Sequence, residues 1–160
     1  MASEKNITLY VNEIMYDISN KAYLTGRSKG DASAKAVHDM QVTENPNIAK
    51  PVVRFVLEAY SSLKGVMAEW VTVTGAVVAD NTPLVSNSLD VTINVPDNFH
   101  DSMLKGVADS MHSYIVDKAL ADWFSITNKE DAELYANKAT NDIAKLKEAL
   151  FKRKRPIRTS

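Results

Sequence analysis

Four stretches of this chain repeat apolar residues every three or four positions, and that period commits most of it to helix. Over residues 4–24, Ile7, Val11, Ile14, Met15, Ile18 and Ala22 share one helical face, and Gly26 offers a C-terminal stop. A second helix begins near Pro46–Pro51, where a proline in the first turn gives up no hydrogen bond. Its stripe is Val53, Val56, Leu57, Tyr60, Leu63, Met67 and Trp70. A third, capped by Asp97 or Asn98, buries Leu104, Val107, Ala108, Met111, Ile115 and Ala119 and ends near Trp123–Phe124. "TNKE" at 127–130 reads as a capping box, with Thr127 and Glu130 each satisfying an open backbone N–H. The fourth helix then carries Ala132, Tyr135, Ala136, Ala139, Ile143, Leu146 and Leu150, and its small residues permit close approach to a neighbour.

Two segments break the pattern. Residues 27–45 are polar and weakly patterned; a short helix fits near Ala32–Met40, but the stretch reads as a loop or mobile arm. Between the second and third helices the period drops to two. In "SLDVTINVPD", Leu89, Val91, Ile93 and Val95 alternate with Asp90, Thr92 and Asn94, the pattern of a half-buried strand. "WVTVTGAVVAD" is equally rich in β-branched residues, and "DNTP" between the two supplies turn chemistry. Residues 71–95 therefore read as a β-hairpin, and an acidic residue at Val91 or Ile93 should damage folding. A two-stranded hairpin is marginal in water unless something covers it. The chain's own helices can cover one face. Edges so poor in charge, with Val73, Val77, Val78, Leu84 and Val85 along them, suit pairing with other copies of the chain equally well. The fold class is thus mainly α: a four-helix body with a β-hairpin between helices two and three, in one domain over residues 1–150.

Charge is placed unevenly. The net charge is −1, yet five of the last ten residues, Lys152, Arg153, Lys154, Arg155 and Arg158, are basic. Such a tail can be a solvated terminus favoured by the helix dipole, a phosphate contact, or a dock for an acidic protein surface. Without an apolar stripe it should contribute little to folding, so that deletion of 152–160 leaves the body intact. Five charges hold DNA weakly at physiological salt, whereas many copies in a ring would hold it well.

Catalysis finds little support. His38, His100 and His112 have no metal-ligand spacing, and no glycine-rich phosphate loop or nucleophile elbow occurs. His100 beside Asp101 reads as a turn pair, and His112 with Asp109 as a solvated i, i+3 pair. The acids Asp117, Asp122, Glu130, Asp131 and Glu133 suit a helix N-terminus. No cofactor or metal is expected, and without cysteine no disulfide or thiolate site can form. No apolar run is long enough to span a membrane, and the N-terminus has no signal-peptide pattern, so an intracellular origin is expected. Trp70, Trp123, Phe124, Tyr60, Tyr135 and Phe55 fall at helical spacing with aliphatics, so most of them should be core. Phe99, Tyr10, Tyr16 and Tyr23 fall partly off them, as exposed aromatics or as contacts with a partner subunit.

This order of elements, together with the closing segment "ALADWFSITNKEDAELYANKATNDIAKLKEALFKRKRPIR", resembles the head–tail connector (adaptor, or neck) proteins of tailed bacteriophages. The resemblance is one of architecture over nearly the whole chain. It implies a structural virion protein with no catalytic residues, assembled in the bacterial cytoplasm into a homo-oligomeric ring, usually of twelve, beneath the portal protein. It would place Lys152–Arg158 against the portal or the DNA-facing channel, and the 71–95 hairpin against neighbouring subunits, with tail or further neck proteins as other partners. The long 27–45 segment departs from the most compact members of that family. A small nucleic-acid-binding module using the tail is the other reading, against which the acidic body argues.

Overall fold

A computed structural model describes residues 2–28, 34–43, 45–71 and 88–154. Among these the protein is mainly helical, with one two-stranded antiparallel sheet. In chain order the elements are β1 (Ala2–Tyr10), α1 (Val11–Arg27), α2 (Ala34–Asp39), α3 (Pro46–Val66), β2 (Ser88–Pro96), a 3-10 turn (Asp101–Met103), α4 (Leu104–Thr127) and α5 (Lys129–Leu150).

α4 organises the rest. Val107, Met111, Tyr114, Ile115, Val116, Ala119, Leu120, Ala121, Trp123 and Phe124 are all buried, so apolar residues cover most of the circumference of its second half, leaving a narrow polar line at Lys118, Asp122 and Ser125. A helix of that kind must be surrounded. α5 packs along it most closely, with α3 and α1 on other flanks. Of the small residues expected to let α5 approach, Ala139 is buried and Ala132 packs against the core, whereas Ala136 is exposed. α3 is capped as its sequence demands, the Asn45 side chain accepting the Asn47 N–H at 3.0 Å. Its buried line is Val52, Val56, Ala59 and Leu63, continuing through Met67 and Trp70. Val53, Leu57 and Tyr60, expected at the centre of the stripe, lie half-buried on its flank.

The N-terminal segment departs from expectation. Residues 2–10 form a strand, and the helix expected from residue 4 begins at Val11. "NITLY" fits either period, since Ile7 and Val11 share a helical face while Ile7 and Leu9 alternate as in a strand. The long-range partner decides between them. β2 lies antiparallel beside β1 with Ile7 opposite Val91 and Leu9 opposite Leu89, and all four side chains are buried. Asn6 and Thr8 face outward, where Thr8 donates to Asp90 at 2.8 Å.

The hairpin expectation is altered accordingly. β2 is a strand with the anticipated alternation, but its paired neighbour among the described residues is β1. Among the described residues the opposite edge meets an isolated Val71–Ile93 bridge, and the Asn94 N–H is donated to the Trp70 carbonyl at 2.6 Å. Val73, Val77, Val78, Leu84 and Val85 lie outside the described residues.

Residues 34–43, read as an arm, are tied down. Met40 and Val42 are buried, and the Trp123 indole donates to the Met40 carbonyl at 2.8 Å. Gly26 serves this contact rather than ending α1: a Cβ there would stand 2.5 Å from the Gln41 amide. The capping box is also absent. Thr127 closes α4 by donating to the Trp123 carbonyl, and Asn128 precedes α5 with its amide on Asp131 at 2.6 Å.

Burial fixes what should happen on substitution in β2. Ile93→Ala should cost about 2–5 kcal/mol, read as a lowered urea midpoint, and Ile93→Asp should prevent folding. Exposed Asn94→Thr should stay within about 0.5 kcal/mol of the parent.

Candidate functional site

Three places on the body hold polar or exposed groups that the core does not explain. The first is a buried carboxyl pair between α1, α4 and α5. Asp117, only 4% exposed, receives the Lys21 ammonium at 3.0 Å. Asp142 of α5, 8% exposed, shares a side-chain hydrogen bond with Asp117, and its Oδ2 is buried without a partner. Burial first, then the hydrogen bond and charge of Asp117, push the Asp142 carboxyl up from 3.8 to about 7, against the opposing pull of Lys145 and Lys21. Two carboxyls in contact hold one proton between them more readily than two negative charges. Asp117 is thus an internal strut and not one of the dipole-facing acids that its neighbourhood in the sequence suggested. Asp122 is paired within α4, its carboxylate 3.4 Å from Lys118.

The second is an open polar cleft of about 570 Å³ where the end of β1 meets α1 and α4. His112 Nε2 lies 2.6 Å from Asp17 Oδ2, and Glu13, Lys105 and Asp109 line the same cleft. The local partner expected for His112 was Asp109, one turn away. Asp109 instead pairs with Lys105 at 3.2 Å, and His112 reaches across to α1. Asp17 gave no local signal in the sequence, because its partner lies 95 residues away. Three carboxylates against one lysine make the cleft an acidic depression suited to a cationic group.

The third is the start of the basic tail. After α5 the chain turns back along the corner that follows β2. His100 donates its N–H to the Lys152 carbonyl at 3.3 Å, Lys154 donates to the Asn98 carbonyl at 2.7 Å, and Phe99 and Arg153 form a β-bridge. Arg153 turns inward and donates to the Leu150 carbonyl at 2.6 Å, whereas Lys152 and Lys154 are exposed. Phe99, expected off the core, is fully enclosed beneath this crossing. Phe151 packs edge-on against Trp70 at 5.3 Å. Residues 152–154, expected to add little to folding, are thus paired with the body through their backbone; Arg155 and Arg158 lie outside the described residues. His100 makes its ring contact with the Ser102 hydroxyl at 2.6 Å, and Asp101 pairs with Lys5 at 3.5 Å, in keeping with a turn.

Among the described residues no group of three or more metal-binding side chains occurs, and no helix is long and apolar enough to cross a membrane. Comparison with known proteins found no matching family model, no matching curated protein and no matching solved structure.

The carboxyl pair has a pH signature. A raised acid pKa means the folded chain holds a proton that the unfolded chain has lost, so stability should be full below about pH 4 for this group and decline as pH rises toward 7. Asp142→Asn should flatten that decline, measured as the difference in urea midpoint between pH 5 and pH 8. A variant with the parent's pH slope would show that Asp142 is ordinary.

Proposed function

We propose that the chain is a structural assembly protein of the head–tail connector kind, a ring component of a tailed-phage virion neck that seats its basic C-terminus on the portal or along the DNA path. The single observation that carries this reading is the fixed launch point of the tail. Backbone pairing of Lys152–Lys154 with Asn98–His100 holds the chain on the body up to residue 154. The cations that follow, Arg155 and Arg158, therefore leave from a defined place, with Lys152 and Lys154 exposed beside it. A tail that starts from the same place on every copy would, in a ring of copies, bring those charges together around one belt. The 72–87 segment, inserted between Val71 and β2 and carrying Asp80 as its one charged residue, remains in this proposal the contact between neighbouring subunits. Acidic surface such as the Glu13–Asp17–Asp109 cleft provides places on the body for cationic groups of neighbours.

The same exposed lysines favour a second reading, a small module that binds nucleic acid through its terminus. Arg153 counts against it, since that guanidinium is spent on backbone carbonyls.

Negative-stain images of the purified chain separate the two. Rings are expected; a sample without rings that binds short duplex DNA, with log affinity falling against log salt at a slope of about −4 for four phosphate contacts, supports the module instead. Two truncations test the anchor. Removing residues 155–160 should leave thermal stability unchanged while abolishing partner or DNA binding. Removing 152–160 should in addition lower stability by about 1–3 kcal/mol, because the Asn98–His100 corner loses its backbone partners. Equal stability of the two truncations would mean that the anchor is not formed.

A further inference from the structure

α1 buries Ile14, Ile18 and Ala22 and turns its opposite face to solvent. At 100° per residue, Asn12, Tyr16, Asn20, Tyr23 and Arg27 fall within about 40° of one line along that outer face. Tyr16 is 66% exposed, Tyr23 53% and Leu24, on the flank, 52%. The charged residues in the middle of the helix are taken up internally, Asp17 by His112 and Lys21 by Asp117. What remains is an uncharged aromatic–amide stripe about two turns long, with exposed Glu13 at one end and exposed Arg27 at the other. Among the described residues neither Glu13 nor Arg27 has an ion-pair partner. Glu13 and Arg27 stand equally far from Asn20, and both lie on the same side of the stripe.

A surface with opposite charges placed symmetrically about its centre is complementary to itself when turned through a two-fold axis. We propose that the outer face of α1 is a two-fold contact with a second copy of this chain, the two helices antiparallel and crossing at Asn20. Glu13 of each copy then meets Arg27 of the other, and Tyr16 packs on Tyr23 and Leu24 across the axis. Tyrosine supplies large contact area at small entropic loss and keeps a hydroxyl for the wet rim, which is why it concentrates at such surfaces. This contact is independent of the ring: a ring closes by repeating an unlike contact, whereas a two-fold contact joins copies, or rings, in pairs.

The test uses the full chain in sedimentation equilibrium at about 0.1 M salt, where charge pairing is not fully screened. The parent should associate through a dimerising step. Tyr16→Glu, at an exposed position, should abolish that step with the thermal melt unchanged. Glu13→Arg and Arg27→Glu should each weaken it about tenfold, and the double variant carrying both should recover it, which only the antiparallel two-fold arrangement allows. Asn20→Cys, in a chain without cysteine, should cross-link with a short bis-maleimide, whereas Asn12→Cys, about 24 Å from its own mate in this arrangement, should not. A parent that never dimerises, an association mass that Tyr16→Glu leaves unchanged, or a double charge reversal without recovery would each overturn the contact.

Discussion

Enclosure of α4 is the constraint on which the rest depends. Its second half leaves only the narrow Lys118–Asp122–Ser125 line to water, so the neighbouring elements are placed by the need to cover the rest. α5, α3 and α1 pack against it, and β1 touches it as well. The polar groups brought inside by this enclosure are satisfied over long sequence distances. The Trp123 indole holds the α2 segment, and Asp117 holds Lys21 of α1 and Asp142 of α5. The same groups that relieve α4 of unpaired polarity thus fix α1, α2 and α5 around it.

Once α4 is covered, what is left over defines the outward-facing chemistry. The inner face of α1 is consumed by the core and its flanking charges by His112 and Asp117, which leaves the tyrosine line bare. The end of α5 is consumed by Trp70 and the residue 98–100 corner, which leaves Lys152 and Lys154 exposed beside it. Both surfaces look outward because the interior has already taken what it needs.

The parts legible in the sequence were those whose signal is local and periodic. α3, α4, α5 and the strand at 88–96 follow from spacing alone, as does the burial of Val107, Met111, Ile115 and Leu146. Phe99 and β1 were not legible, for a shared reason. Phe99 is enclosed by the returning tail and β1 by β2, partners some 50 and 85 residues distant, and no short window contains them. The pairs at the candidate sites failed in the same manner. Asp109 was the nearest acid to His112, yet Asp17 from another helix supplies the contact, while Asp117 hid among acids that truly flank a helix start.

The sequence by itself determined how much of this protein is helix, where its one regular two-residue alternation falls, and that its positive charge is concentrated at the C-terminus. Those properties rest on side-chain period and composition, which each segment carries without help. Tertiary structure alone decided that residues 2–10 are a strand, that the tail begins by pairing with the body, and that two aspartates share a buried site. Each of these is a choice between local alternatives of similar free energy, and such a choice is made only when a distant partner arrives to bury the apolar surface or complete the hydrogen bonds.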